Sequence, residues 1–248
     1  MTLPTRSTLL PADLFRRLAL LFTLFGLIPL ISHRGNAATN FKPAKLRPLQ
    51  QAHLDPTLQQ FWKQMALATR TRNFAFLEPH IDPNLRWTLG PESGIKSFMR
   101  YWNLDKNPQQ SIFWKELDRV LHLGGAFINN DRNRFQAPYV SACWPDEYDG
   151  FTHAAIIADN VPLRQTPEPA GKVIGWLSYD IVRLDIDQLS HAPRQKLQGE
   201  THPWVQVTTA QGHTGFVWGK YVRSPIDIRL MVEKIDGIWK ITCFLAGD

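Results

Sequence analysis

The stretch Ile156-Ile157-Ala158-Asp159-Asn160-Val161-Pro162-Leu163-Arg164-Gln165-Thr166-Pro167 decides how the second half of this 248-residue chain is read, together with three later segments. These are Lys172-Val173-Ile174-Gly175-Trp176-Leu177, Trp204-Val205-Gln206-Val207 and Gly212-His213-Thr214-Gly215-Phe216-Val217-Trp218-Gly219-Lys220-Tyr221-Val222. Apolar, β-branched and aromatic residues alternate with polar ones, and turn residues separate the runs, which is the pattern of short strands. Strands this short bury enough surface only by curling into a small closed barrel. Pro167 and Pro169 then fall in turns, where no ladder donor is lost.

Outward from that stretch the period changes. Leu58, Phe61, Trp62, Met65 and Thr69 follow i, i+3, i+4, i+7 spacing, with Asp55 as N-cap and Pro56 in the first turn, and predict an amphipathic helix. Ser93 to Trp102 and Ser111 to Leu121 predict two more helices, the last ended by Gly124-Gly125. Leu85 to Leu89 reads as extended. From Ala126 onward strands are predicted over 126–129, 137–143, 154–159, 173–177, 181–184, 204–208, 215–218, 228–234 and 238–245. The last two flank Asp236-Gly237, a hairpin signal. The polar stretch Gln188 to Pro203 reads as an extended loop. Helices first and strands later give an α+β class: N-terminal helices with an antiparallel sheet, plus a small all-β barrel. The expected organisation is a leader over 1–38, a linker over 39–53, a helical α+β domain over 54–152 completed by 224–248, and the barrel over 153–223.

The four quoted segments, in that order, resemble a bacterial SH3-type domain. That family runs from an asparagine-valine-arginine strand and a proline turn, through valine-isoleucine-glycine-leucine and tryptophan-x-x-valine, to a closing glycine-tryptophan-valine and tyrosine. The chain departs from it at Pro162, Thr166 and Phe216, and its 188–203 loop is longer than usual. The resemblance covers about 70 residues and implies an SH3-like barrel and a binding role. Many such domains accompany cell-wall hydrolases and hold peptidoglycan peptide or glycan. The remaining helices and sheet resemble the curved-sheet cone of nuclear-transport-factor-like domains. The whole arrangement resembles exported bacterial proteins described only as SH3-domain-containing.

Compartment follows from the first 38 residues. Arg6, Arg16 and Arg17 precede the apolar run Leu18 to Ile31, which at 1.5 Å per residue reaches only about 21 Å, short of a bilayer's hydrocarbon core of about 30 Å. Pro29 and the small residues around Gly35, Ala37 and Ala38 complete a secretory signal peptide, cleaved after Ala37 or Ala38. The alternative is an uncleaved anchor, the only route by which the chain would touch a membrane. Either way the body is exported, to the periplasm or the exterior. The chain's net charge is +6, and the leader holds four arginines and one aspartate, leaving the body at +3. That gives no electrostatic footprint for nucleic acid. Cys143 and Cys243 meet an oxidising compartment, where they form either one disulfide or two buried free thiols.

The residues were also read for chemistry. Two cysteines exclude a four-thiolate zinc site, and neither Cys143 nor Cys243 stands where a nucleophile is activated. Glu78, His80 and Asp82 could converge as ligands or as a hydrolase's acids and bases, although Pro79 and Pro83 make that segment a rigid turn. Asp146-Glu147-Tyr148-Asp149 lacks the oxygen-rich loop of a calcium site, and Gly215 to Lys220 lacks the spacing of a phosphate loop. No metal and no cofactor is expected. Of nine tryptophans, Trp62, Trp102, Trp114 and Trp239 fall on apolar faces, while Trp176, Trp204 and Trp218 lie in the barrel. The expected ligand-binding residues are Arg164, Tyr179, Trp204, Trp218 and Tyr221, with aromatic contacts and an arginine fork for a carboxylate. The sequence therefore reads as a non-catalytic envelope protein binding a peptidoglycan peptide or glycan, or an envelope protein. The competing readings are a hydrolase with its pocket in the helical domain and a purely structural or assembly protein.

Overall fold

The first long helix is started by the chemistry at one residue, Asp55. In the computed structural model, which describes residues 41–247, its carboxylate accepts hydrogen bonds from the backbone N–H of Thr57 at 2.7 Å and of Leu58 at 3.0 Å. Two of the four unpaired amides at a helix start are thereby satisfied. The helix α1 (Pro56–Thr71) buries Leu58, Phe61, Trp62, Met65, Ala68 and Thr69 on one face and stops where Arg72 turns left-handed. There follow α2 (Phe74–Leu77), β1 (Ile81–Arg86), α3 (Ile95–Tyr101), α4 (Phe113–His122), β2 (Ala126–Phe127), β3 (Arg134–Ala137) and α5 (Tyr139–Ala142). The second half holds β4 (His153–Ile156), β5 (Val161–Arg164), β6 (Val173–Leu177), β7 (Ile181–Leu184), α6 (Ile186–Leu189), β8 (Arg194–Leu197), β9 (Glu200–Thr208), β10 (Thr214–Trp218) and β11 (Val222–Arg223). The chain ends with β12 (Arg229–Ile235) and β13 (Ile238–Leu245). The described residues thus form a mixed α+β fold with six α-helices and two sheets.

The first sheet has the order β1-β13-β12-β3-β2. Asp236 and Gly237 both have positive φ, as a two-residue hairpin turn requires. The hairpin pairs with β3 on one side, Leu230 opposite Ala137, and with β1 on the other. The sheet is not wholly antiparallel as expected: β1 runs parallel to β13. A parallel pair needs a long crossover, and residues 87–237 lie between these two strands. Helices α1, α3 and α4 cover the inner face of this sheet. Phe98, Trp102, Phe113 and Phe244 meet there, with Phe113 and Phe244 ring centroids 5.2 Å apart.

Several local expectations are corrected. The strand expected over 85–89 lies at Ile81–Arg86. The strand expected over 137–143 ends at Ala137, because Pro138 has no N–H for a ladder and instead precedes the short helix α5. In β13, Cys243 does not continue the apolar face of Trp239 and Ile241. A bulge lets Val232 pair with Ile241 and Met231 with Cys243, and so sends Phe244 into the core. The Gln188–Pro203 loop is largely regular, for β8 and β9 form a hairpin whose turn residues Gln198 and Gly199 both have positive φ.

The second sheet follows the path β11-β4-β7-β9-β10-β5-β6, with β8 added on β9. No hydrogen-bonded pair between β6 and β11 closes this path among the described residues. The sheet nevertheless wraps one core, since Leu177 from β6 and Val222 from β11 pack with Ile156, Leu163, Val207 and Val217. A third cluster, including Leu46, Tyr139, Val140, Tyr148, Ala155 and Ile181, joins the two halves. The stretch read as a linker takes part in it. Leu46 N–H donates to Tyr179 O at 2.8 Å, and Lys45 pairs with Asp180 at 3.1 Å. Farther on, Gln51 N–H donates to Gly125 O at 2.9 Å, so the segment straps one half to the other. The leader, with both cleavage positions, lies outside the described residues. No helix among the described residues is long and apolar enough to cross a membrane.

Asp55 also ties α1 to the first sheet, because Lys234 of β12 approaches it at 3.4 Å. Burial alone would raise its pKa, but the hydrogen bonds from Thr57 and Leu58 and the Lys234 charge outweigh it and hold the carboxyl at about 2. Asp55→Ala is expected to lower stability by about 1–2 kcal/mol in urea unfolding at neutral pH. The ionised form's contribution is full above the ordinary value of 3.8 and is lost as pH falls to about 2. The gap between wild type and variant therefore closes across that window, and a gap independent of pH would contradict the assignment.

Candidate functional site

The outer face of the second sheet is set by strand alternation. In β5, Val161 and Leu163 enter the core, so Pro162 and Arg164 face outward. In β9 and β10, Val205 and Val217 point inward, and the directly opposed pair Trp204 and Trp218 points outward. Arg164, Trp204, Trp218 and Tyr221 thereby line one groove of about 180 Å³. Its floor and rim include Pro162, Pro169 of the β5–β6 turn, and Leu197 and Gln198 at the tip of the β8–β9 hairpin.

Four of the five expected binding residues therefore converge. Tyr179 does not join them. It stands in the β6–β7 turn at positive φ, donates its N–H to Ala158 O and accepts Leu46 N–H, so it belongs to the joint between the two halves.

The convergence has a qualification in burial. Trp204 is 3% and Trp218 5% exposed. The β8–β9 hairpin covers them: Trp204 Nε1 donates to Gln195 Oε1 at 2.9 Å, and the His202 ring meets Trp218 edge-on at 5.1 Å. Tyr221 closes on Trp218 from the other side at 5.9 Å. Trp218 Nε1 is buried and has no hydrogen-bond partner among the described residues. These two indoles are walls of the groove rather than open platforms. The turn after β10 sits tightly on β9, where a Cβ on Gly219 would come within 2.8 Å of Pro203 O.

Among the described residues, Arg164 is the only charged one lining the groove. One guanidinium nitrogen, Nη1, donates to Gly171 O at 2.7 Å and fixes the β5–β6 turn. No acidic side chain pairs with it among the described residues. Beside the groove, Glu200 accepts from His202 Nε2 at 2.8 Å and from Lys220 Nζ at 3.1 Å. Lys220 in turn lies 5.7 Å from the Trp218 ring centre. The hydrogen bonds from His202 and then Lys220 hold Glu200 at about 2, while burial pushes the His202 imidazole down.

Two lining residues, Leu197 and Gln198, are not expected from the sequence: their stretch reads as a polar loop, and Gln-Gly is not among the dipeptides that mark a hairpin. Trp176 does not line the groove; it is 64% exposed, the most exposed large apolar side chain among the described residues.

Of the residues read as a hydrolase's acids and bases, Glu78 and His80 lie in a one-turn 3-10 helix (Glu78–His80) and Asp82 in β1. His80 Nδ1 hydrogen-bonds Phe76 O at 2.8 Å and its ring stacks on Phe76, while Asp82 accepts from Asn84 N–H. Among the described residues no group of three His, Cys, Asp or Glu side chains is placed to hold a metal ion. Cys143 and Cys243 are free thiols, and burial pushes both up, away from the reactive thiolate.

No family model matches the sequence, and no characterised protein or solved structure matches it at a significant level.

Glu200→Gln is expected to leave the fold intact and cost less than about 1 kcal/mol at neutral pH, because the carboxylate is partly solvated. The difference from wild type is full above the ordinary value of 4.5 and fades as pH falls to about 2. Urea unfolding at stepped pH values checks this, and a difference that grows on acidification would refute it.

Proposed function

We infer that the protein is a non-catalytic, exported envelope protein that holds a peptidoglycan peptide or glycan, or a protein partner, in the groove on its second sheet. The curled second sheet is read as an SH3-type barrel. The observation carrying this reading is that Arg164, Trp204, Trp218 and Tyr221, far apart in sequence, line one groove. A groove with aromatic walls, two prolines and one half-buried cation suits reversible binding with a carboxylate contact. Export rests on the leader's pattern of basic residues, short apolar run and small residues.

A second reading has an observation of its own. The burial of Trp204 and Trp218 and the third core cluster also suit a barrel that serves assembly by packing on its own host domain.

Co-sedimentation of the mature chain, starting near Ala38, with purified peptidoglycan separates them. Wild type is expected in the pellet, and Arg164→Gln and Tyr221→Ala, with unchanged circular dichroism, are expected to be retained at least about tenfold less. Wild type that stays wholly in the supernatant removes the wall as ligand and favours the assembly role.

A further inference from the structure

Among the described residues, strand β6 ends the second sheet, and one of its edges has no neighbouring strand. Its pairing with β5 fixes where Trp176 stands. Trp176 lies directly opposite Pro162, and directly opposed residues share a face. Pro162 lines the groove, so Trp176 extends the groove's face outward across the sheet edge. Its side chain is 64% exposed, against 3% for Trp204 and 5% for Trp218. It is therefore the one indole at this site with an open face.

The backbone of Trp176 is open as well. Opposed pairs in an antiparallel ladder alternate between hydrogen-bonded and non-hydrogen-bonded, and Pro162 has no N–H to exchange. The Pro162–Trp176 pair is therefore the non-bonded kind, and the N–H and C=O of Trp176 turn toward the free edge. No backbone hydrogen bond from another element reaches them among the described residues.

Two observations choose the ligand class. First, the β5–β6 ladder skips a residue: Leu163 pairs with Gly175 and Arg164 with Val173, leaving Ile174 as a bulge. A bulge blunts an edge against strand addition, so an extended peptide added along β6 fits poorly. An exposed indole beside isolated polar groups instead suits the apolar face of a sugar ring, with hydroxyls taken by the edge amide and carbonyl. Second, the groove next to Trp176 holds one cation, Arg164, and no acid. Arg164 stands two residues along β5 from Pro162, the residue opposite Trp176, and on the same face, so a ring stacked on Trp176 can carry a carboxylate toward Arg164.

We propose that Trp176 is the stacking residue of the binding site and that the ligand is a carboxylate-bearing sugar of a glycan, its ring on the Trp176 indole and its carboxylate at Arg164. This rests on the reading of the groove as a ligand site and narrows it from peptide, glycan or protein to an acidic saccharide. The carboxylate has two sources, a lactyl group on an amino sugar or the C6 carboxyl of a uronic acid.

Titration calorimetry of the mature chain with four probes tests it. The probes are an alternating N-acetylglucosamine and N-acetylmuramic acid tetrasaccharide with free lactyl carboxyls, a uronic acid tetramer, a neutral N-acetylglucosamine tetramer, and a free peptidoglycan stem peptide. Wild type is expected to bind one of the two acidic saccharides at least about tenfold more tightly than the neutral one, and which of the two it is names the source. Trp176→Ala, whose exposed position spares the fold, is expected to weaken that binding at least about tenfold, Trp176→Phe less. Arg164→Gln is expected to bring the acidic saccharide down to the neutral one's affinity. Unchanged binding by Trp176→Ala, or equal binding of neutral and acidic saccharides, overturns the proposal. Binding of the stem peptide alone, lost in Tyr221→Ala, overturns it while leaving the groove reading standing, and no binding of any probe by wild type overturns both.

Discussion

The fold depends on the last hairpin returning to the first sheet. Without β12 and β13, strands β1 and β3 would have no common partner, and the helices α1, α3 and α4 would lack the apolar face that Val232, Trp239, Ile241 and Phe244 provide. Since β12 and β13 follow the second sheet in sequence, the chain must leave the first sheet after β3 and come back to it. That requirement fits the way the second sheet begins and ends: β4 and β11 are neighbours, with Val222 opposite Ile156, so entry and exit lie side by side. Arg223, 9% exposed, fixes the exit by hydrogen-bonding Ile228 O and approaching Asp227 at 3.6 Å. A buried guanidinium is tolerable only with such partners.

This arrangement constrains the site as well. With β4 and β11 committed to the exit and the 41–46 strap, and with Ala155 and Ile181 packed in the third cluster, that flank of the second sheet is covered. The opposite flank, β9-β10-β5-β6, is left to face outward. The groove forms there because the β8–β9 hairpin folds over one end of it and buries Trp204 and Trp218. At the other end β6 has no neighbour and leaves Trp176 bare. Burial at one end and exposure at the other come from one topological fact, that β8 adds to β9 while nothing adds to β6.

What the sequence disclosed followed how local the signal was. Asp55 with Pro56, and Asp236 with Gly237, were readable because a cap and a two-residue turn are decided within three or four residues. Arg164, Trp204, Trp218 and Tyr221 share a groove that no local rule predicts, since they stand on β5, on β9, at the end of β10 and in the turn after it. The failures are non-local or exceptions to a period. The β13 bulge inverts the alternation after Ile241, and nothing in Ile-Thr-Cys-Phe marks it. The parallel β1–β13 pair joins Ile81 to Ile241, and Tyr179 is claimed by a strap from residues 41–46, far from it in sequence. Trp176 could not be told from Trp204 in the sequence, because both sit in alternating strands and only the neighbouring strand decides which is covered.

The unequal exposure of the three tryptophans has an energetic consequence for any ligand. A buried indole has already lost its hydration on folding, so a ligand touching Trp204 or Trp218 removes little further apolar surface from water. Trp176 retains most of its surface, and covering part of it on binding yields the hydrophobic gain that scales with area, about 25 cal/mol per Å². The two walls instead hold the shape of the groove in advance, so that little ordering cost falls on binding. Arg164 is prepared in the same way. Its bond to Gly171 O fixes the guanidinium before a ligand arrives, and the missing acidic partner leaves its charge for an anion from outside. On the proposed reading, affinity at this site rests on the least buried aromatic and on Arg164, the two groups whose environment would change most on binding a ligand.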